Sequence, residues 1–267
     1  MLQPFQYDLK MTHPLLIHSI FFTLLFALSG CSTLNHPTDP NDPLESYNRY
    51  MFEFNDHVDR YALKPVAQGY TSITPRFMQK GINNFFSNLD DFIVIINDLL
   101  QLKLGQFSSD TGRLLINSTL GLGGLIDWAS DLNMPKHNED FGQTLGYWGV
   151  APGPYFILPV LGPSTIRDTG GLIVDTAELD PIWRQVEDGL PAEPRDPVEA
   201  QVTTAIKAID LRASLLKAEK ILDEAALDKY VFIREAYLQR RAHLVFDGNP
   251  PEQVEEFNED ELFDFDK

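Results

Sequence analysis

The chain has a single cysteine, Cys31, among its 267 residues. That scarcity removes a disulfide framework, a thiolate metal site and a paired redox centre at once. Positive charge is also scarce: 21 Lys and Arg stand against 39 Asp and Glu, for a net charge of −18. Basic residues cluster only between Arg234 and Arg241, so the face needed to neutralise phosphates is missing and nucleic acid is excluded as a partner. No apolar run reaches the roughly 20 residues a membrane-crossing helix requires. Catalytic signatures are missing too, with no Gly-x-Ser-x-Gly elbow and no thiol left for nucleophilic work once Cys31 is modified. The histidines His13, His18, His36, His57, His137 and His243 are scattered. His57 with Asp59, and His137 with Glu139 and Asp140, lack zincin-type ligand spacing and read as solvated surface residues. No catalytic residue, metal ligand or cofactor is assigned, and the sequence points away from an enzyme.

What is present begins with an address. Lys10 precedes the apolar run Leu15 to Leu28, which leads into Leu28-Ser29-Gly30-Cys31. This is the order of a cleaved lipoprotein signal, with the cysteine as the acylation point. Each buried methylene of an acyl chain contributes about 0.8 kcal/mol, so several chains anchor the protein stably. Residues 1–30 are read as signal peptide and residues 31–41 as a polar tether, and the mature chain that remains is long enough for one large domain.

From Asp42 the pattern turns helical. Asp42 reads as an N-cap, Pro43 as the first helical residue and Glu45 as its capping-box partner. Leu44, Tyr47, Met51, Phe54, Val58 and Tyr61 then recur every three or four positions, until Lys64-Pro65 is expected to end the helix. A second helix is predicted from Thr74-Pro75 to Leu104 with a break near Gly81. Its apolar stripe is Phe85, Leu89, Ile93, Ile96, Leu100 and Leu104; Asn84, Asn88, Asp91, Asp98 and Gln101 lie opposite. Burial of the stripe against the body is the reading the pattern favours, and a helix lying at a membrane interface is the alternative.

Ser108-Ser109 reads as a cap for a helix over Arg113 to Leu120, which stops at Gly121-Leu122-Gly123-Gly124. Glycines there permit a tight reversal, either a plain turn or a hinge. A phosphate loop is excluded because no Lys-Ser or Lys-Thr follows. The segment from Pro135 to Pro197 holds nine of the 18 prolines, so long regular elements are not expected there. Ser164 to Asp168 is expected to cap a short helix. Two long helices close the body, one opening at Pro197 and one at Asp228. Residues 248–267 form an acidic tail read as disordered, with eight acids and one Lys from Glu252 to Lys267.

Taken together, these segments resemble the MlaA (VacJ) family of outer-membrane lipoproteins across residues 42–247. The likeness rests on Asp42-Pro43-Leu44-Glu45 with Asn48-Arg49-Tyr50-Met51-Phe52, on Leu63-Lys64-Pro65-Val66-Ala67 and on Asn84-Phe85-Phe86-Ser87-Asn88-Leu89. It continues through Arg113 with Asn117 to Asp127, Asp140 to Gly146, Gly153 to Pro159, Gly162 to Asp168 and Arg234-Glu235-Ala236-Tyr237. Asp90-Asp91-Phe92, where relatives often carry proline after the acids, and the acidic tail depart from the pattern. The resemblance implies a mainly α fold, a single ring-like bundle of amphipathic helices with a Pro/Gly-rich irregular segment, embedded in the inner leaflet of the outer membrane. It further implies that phospholipid is removed from the outer leaflet through an amphipathic channel beside trimeric porins and passed to a periplasmic carrier. Gly121, Gly123 and Gly124 would then be the hinge of a channel hairpin. A tethered scaffold that binds porins without moving lipid is the alternative; a lipid hydrolase lacks a nucleophile motif.

Overall fold

The computed structural model describes residues 42–176 and 197–251. The signal segment, the tether, residues 177–196 and residues 252–267 of the acidic tail lie outside it. The described residues are mainly helical, with one short β-hairpin.

Helix α1 (Glu45–Val58) follows the expected apolar spacing, but Asp42 does not cap it. Leu44 takes the cap position without a side-chain bond, and Asp42, 0 % exposed, turns inward. There it accepts from Asn48 Nδ2 at 3.0 Å, from Arg234 Nη1 at 3.0 Å and from the Tyr230 hydroxyl. Three donors buried together outweigh the two backbone amides that a cap would satisfy.

Lys64-Pro65 does not end the helix. A π turn, Asp59–Leu63, joins α1 to α2 (Lys64–Ile73). Pro65 follows directly on the π turn, whose wider pattern accommodates its ring and missing N–H within the continuous helical run.

Helix α3 (Arg76–Leu100) runs unbroken through Gly81 and through Asp90-Asp91-Phe92. Gly81 serves proximity rather than a kink: a Cβ there would lie 3.7 Å from the Leu125 carbonyl oxygen. A reversal at Leu102, φ 61°, leads into α4 (Leu104–Thr119). This helix starts well before the expected Arg113, because Ser108 bonds back to the Leu104 carbonyl at 2.8 Å and so sits inside the helix instead of capping it.

A short helix, α5 (Trp128–Asp131), precedes the Pro/Gly-rich stretch, which holds only short elements up to Thr165: α6 (Phe141–Tyr147), β1 (Tyr155–Leu158) and β2 (Gly162–Thr165). The strands pair antiparallel from Tyr155↔Thr165 to Leu158↔Gly162, a pairing that the prolines at 152–163 had obscured in the sequence. Residues 166–176 form α7, started as expected by a cap: Asp168 N donates to Thr165 Oγ1 at 3.2 Å. Helices α8 (Pro197–Ala225) and α9 (Lys229–Val245) match expectation, and Asp228 caps α9 by accepting from Tyr230 N and Val231 N.

Helix α3 packs on α4, α2 on α8, α1 on β1, and α9 on α6 and β2. Met51, Tyr155, Ile157 and Tyr230 form a small apolar core, with Phe52 edge-on to Tyr230 at 6.1 Å. Beside it, Asp42 joins the chain's entry into the body to α9. Asp42→Ala removes the carboxylate that Asn48, Tyr230 and Arg234 share, while Arg234 keeps Glu235, so a loss of about 2–3 kcal/mol is expected in denaturant titrations of detergent-solubilised protein; a loss under about 1 kcal/mol would mean the clamp is not structural.

Candidate functional site

Buried polar side chains outnumber buried hydrophobic ones, and many large apolar side chains are exposed. Among the described residues, 20 polar or charged side chains are fully buried against nine hydrophobic ones. Asp, Glu and Arg are almost never fully buried unless paired, and four of those buried here, Asp91, Asp98, Asp110 and Arg113, lie on the inner faces of α3 and α4.

On α3, Asn88, Asp91, Asn97 and Asp98 face inward, and Gln101 follows them. On α4 it is Asp110, Arg113 and Asn117. The stripe expected to be buried, Phe85 to Leu104, is half-buried along α3 and exposed at Leu100 and Leu104. Burial of that stripe against the body is therefore corrected: it is the opposite, polar face that packs inward. The sequence carried a signal for this, since residues 81–101 contain no Lys or Arg. A face of Asn, Asp and Gln alone is made of short side chains that can be hydrogen-bonded to completion inside a fold.

Their partners come from the irregular segment. Lys136 Nζ donates to the Ser87 carbonyl at 2.9 Å and to Asp91; burial pushes the Asp91 carboxyl up, opposed by Lys136. Gln101 Nε2 donates to Glu139 at 2.8 Å, and Lys103 Nζ reaches Glu139 at 3.0 Å. Thr144 Oγ1 donates to Asn97 Oδ1 at 2.7 Å. His137 Nδ1 lies 2.7 Å from Asp110 Oδ2. His137, Glu139 and Asp140 are thus not solvated surface residues, as their spacing suggested: Glu139 is buried, and Asp140 pairs with Arg241 at 2.5 Å. Burial would raise the Asp140 carboxyl, but Arg241 outweighs it and holds it below its usual range. His57 is exposed, bonded only to the Glu53 carbonyl of its own helix. Among the described residues no group of three His, Cys, Asp or Glu could hold a metal ion.

The glycine turn after α4 is tied down from two sides. Asp127 accepts from Asn117 Nδ2 at 2.9 Å and from Arg113 Nη2 at 3.2 Å, and caps α5 through Ser130 N. Burial opposes its charge, yet Ser130, Asn117 and Arg113 bring its pKa down to about 2. From α3, Asn84 Nδ2 donates to the Leu125 carbonyl at 3.1 Å and Asn88 Nδ2 to Ser118 Oγ at 3.0 Å.

The three glycines then differ in kind. A Cβ on Gly121 would lie 2.1 Å from the Ile126 carbonyl oxygen, and one on Gly124 would lie 2.6 Å from Asn88 Cβ. Gly123, φ 73°, meets nothing within 4 Å, so only backbone conformation requires glycine there.

Outward, the same segments carry large apolar side chains into contact with the surroundings. Leu102, Leu120 and Leu122 are 65–68 % exposed, and Leu132, Val160, Leu161, Ile166 and Ile173 are also exposed. Trp148 lies open with its indole N–H on the Leu100 carbonyl at 3.1 Å, so its polar edge is satisfied and its ring is free to sit at a lipid–water boundary. No helix of the described residues is long and apolar enough to cross a membrane.

Comparison with known proteins decides what this inverted architecture belongs to. The MlaA lipoprotein family matches residues 40–244. The chain belongs to the MlaA lipoprotein family. The Haemophilus influenzae intermembrane phospholipid transport system lipoprotein MlaA is 36 % identical over 246 residues, covering 90 % of this chain and 94 % of the relative. The Escherichia coli K12 protein of the same name is 34 % identical, covering 83 % and 85 %. A chain solved in work on the structural basis for maintenance of bacterial outer membrane lipid asymmetry superposes with a TM-score of 0.62 at 34 % identity, covering 78 % of this chain and 99 % of that one.

Two substitutions separate the roles of the MlaA-type glycines. Gly121→Ala should abolish the folded hairpin, read as loss of a cooperative melt. Gly123→Ala should fold and lose only about 1–2 kcal/mol, the strain of a left-handed residue. Equal losses would contradict the assignment.

Proposed function

We propose that this chain is an outer-membrane lipoprotein, anchored through acylated Cys31 in the inner leaflet, that withdraws mislocalised phospholipid from the outer leaflet and maintains lipid asymmetry. The reading is carried by the inversion of polarity: an apolar exterior with a hydrogen-bonded polar interior is stable where the outside is acyl chain. Polar groups then face one another, and apolar groups meet lipid rather than water. Amphipathic helices, none of them both long and apolar enough to cross a bilayer among the described residues, suit a body seated in one leaflet.

In this reading the helices close into a ring whose polar side lines a path for a headgroup. The α3–α4 hairpin and its turn at Gly121, Gly123 and Gly124 form the movable wall. Trimeric porins hold the body in place, and a periplasmic phospholipid carrier receives the lipid on its way to an ATP-driven complex in the inner membrane. Outer-leaflet phospholipid is at higher free energy in an asymmetric membrane, so its descent requires no bond-breaking step in this subunit.

Family membership supports the transport class, because the relatives from Haemophilus and Escherichia bear the name of an intermembrane phospholipid transport system. Transfer of labelled phospholipid from bilayers holding the purified full-length chain to a carrier tests the reading. Transfer is expected, together with a rise in outer-leaflet phospholipid on deletion of the gene; a chain that binds porins yet passes no lipid would be a scaffold. Gly123→Val should lower transfer more than it lowers the yield of folded protein, whereas equal loss of both makes the turn merely structural. Cys31→Ser directed to the periplasm should still adsorb to bilayers through its apolar exterior but dissociate on washing, and a variant that stays soluble would contradict the proposed seating.

A further inference from the structure

One group inside the α3–α4 pair has no partner that the rest of the structure supplies. Asp98 is 0 % exposed and neither of its carboxyl oxygens meets a hydrogen-bond donor. Facing it within hydrogen-bonding reach is the carboxyl of Asp110, also 0 % exposed, whose Oδ1 is likewise unpartnered while Oδ2 is engaged by His137 Nδ1. Two ionised carboxylates cannot share so dry a site; one proton between them turns a repulsion into a charge-assisted hydrogen bond.

Lys103 opposes the raised Asp98 carboxyl without neutralising it. Lys103 is held by Glu139 and Asp247, Lys136 by Asp91, and Arg113 by Asp127. Glu139 adds a further negative charge facing Asp98, as Asp91 does facing Asp110. No group of three ligating side chains that could hold a metal occurs among the described residues, and a shared proton is what two facing buried carboxyls call for.

We propose that Asp98 and Asp110 form a buried proton-binding site in which Asp98 carries the proton and donates it to Asp110, joining α3 to α4. His137 Nδ1 holds the far oxygen of Asp110 at 2.7 Å. Burial and the negative neighbours Asp110 and Glu139 raise the Asp98 carboxyl to about 8. A raised pKa means the folded state holds the proton more tightly than the unfolded chain does. The stabilisation is therefore complete below the unfolded value near 4 and is lost as pH rises through about 8. Above that pH two adjacent buried charges push α3 and α4 apart, on the same hairpin that ends in the glycine turn.

The test uses the full chain in detergent, with infrared spectra and melting curves followed from about pH 6 to about pH 9.5. The wild type and His137→Gln, which keeps a donor but cannot titrate, should both show a neutral carboxylic-acid carbonyl band near neutral pH. That band should vanish as pH rises, and the melting temperature should fall with it by on the order of 5 °C. Asp98→Asn, whose amide donates to Asp110 at every pH, should lack the band and give a flat profile. Asp110→Asn, which removes the facing charge but leaves Asp98 buried, should move the loss of the band to lower pH, and serves if Asp98→Asn does not fold. An unchanged band and profile in the folded Asn variant would overturn the proposal. So would a pH dependence that disappears in His137→Gln, or a wild-type chain with no band whose melt drops on adding a chelator.

Discussion

Everything in this fold depends on the mutual satisfaction of buried charges. Asp, Asn, Gln, Arg and Lys side chains from α3, α4, the 132–144 segment and α9 meet inside the protein, where an unpaired polar group costs about 1–3 kcal/mol and an unpaired charge more. Because they meet one another, the apolar side chains of the same helices are left to face outward. Water would make that arrangement unfavourable by about 25 cal/mol per Å² of exposed apolar surface, and acyl chains remove that cost. The polar interior and the apolar exterior are two sides of one constraint.

Four networks carry it. Asp42, Asn48, Tyr230 and Arg234 fasten the start of the body to α9. Arg241 bridges Asp140 and Asp168, with Tyr237 donating to Asp168 at 2.7 Å, and so ties α6 and α7 to the same helix. Arg113, Asn117 and Asp127 lock the glycine turn. On α8, Arg212 pairs with Asp59 at 2.5 Å and Lys64 with Glu219 at 2.7 Å, which fastens that long helix to the π turn and α2. Between these fixed points the turn at Leu122-Gly123 has open space around it, and so is the place where movement of the hairpin costs least.

Much of this was legible in the sequence. Helical periodicity located α1, α3 and α9, and separated motifs placed the chain among MlaA-like lipoproteins. Boundaries failed where a side chain found a better partner far along the chain. Asp42 reads as a cap because its distant donors, Tyr230 and Arg234, are invisible locally. Pro65 reads as a terminator because a π turn leaves no composition mark. The larger miss concerned direction: a helical stripe gives the axis of amphipathicity but not which side faces in. Asn88, Asp91, Asp98 and Gln101 could have answered that, because a polar face without Lys or Arg is built for hydrogen bonding inside a protein rather than for solvation.

The central claim, that the outer face meets lipid, is tested most directly by labelling. Single cysteines at Leu102, Leu122, Trp148 and Ile173, each carrying a fluorophore, would be reconstituted in bilayers containing brominated phospholipid, with a label at exposed Glu53 on α1 as a reference. Cys31 is the one native cysteine, so blocking it before labelling leaves no competing thiol. Strong quenching by the brominated chains at all four positions, and little at the reference, is the result the inverted architecture predicts; labels at those four positions quenched by aqueous iodide instead would contradict it.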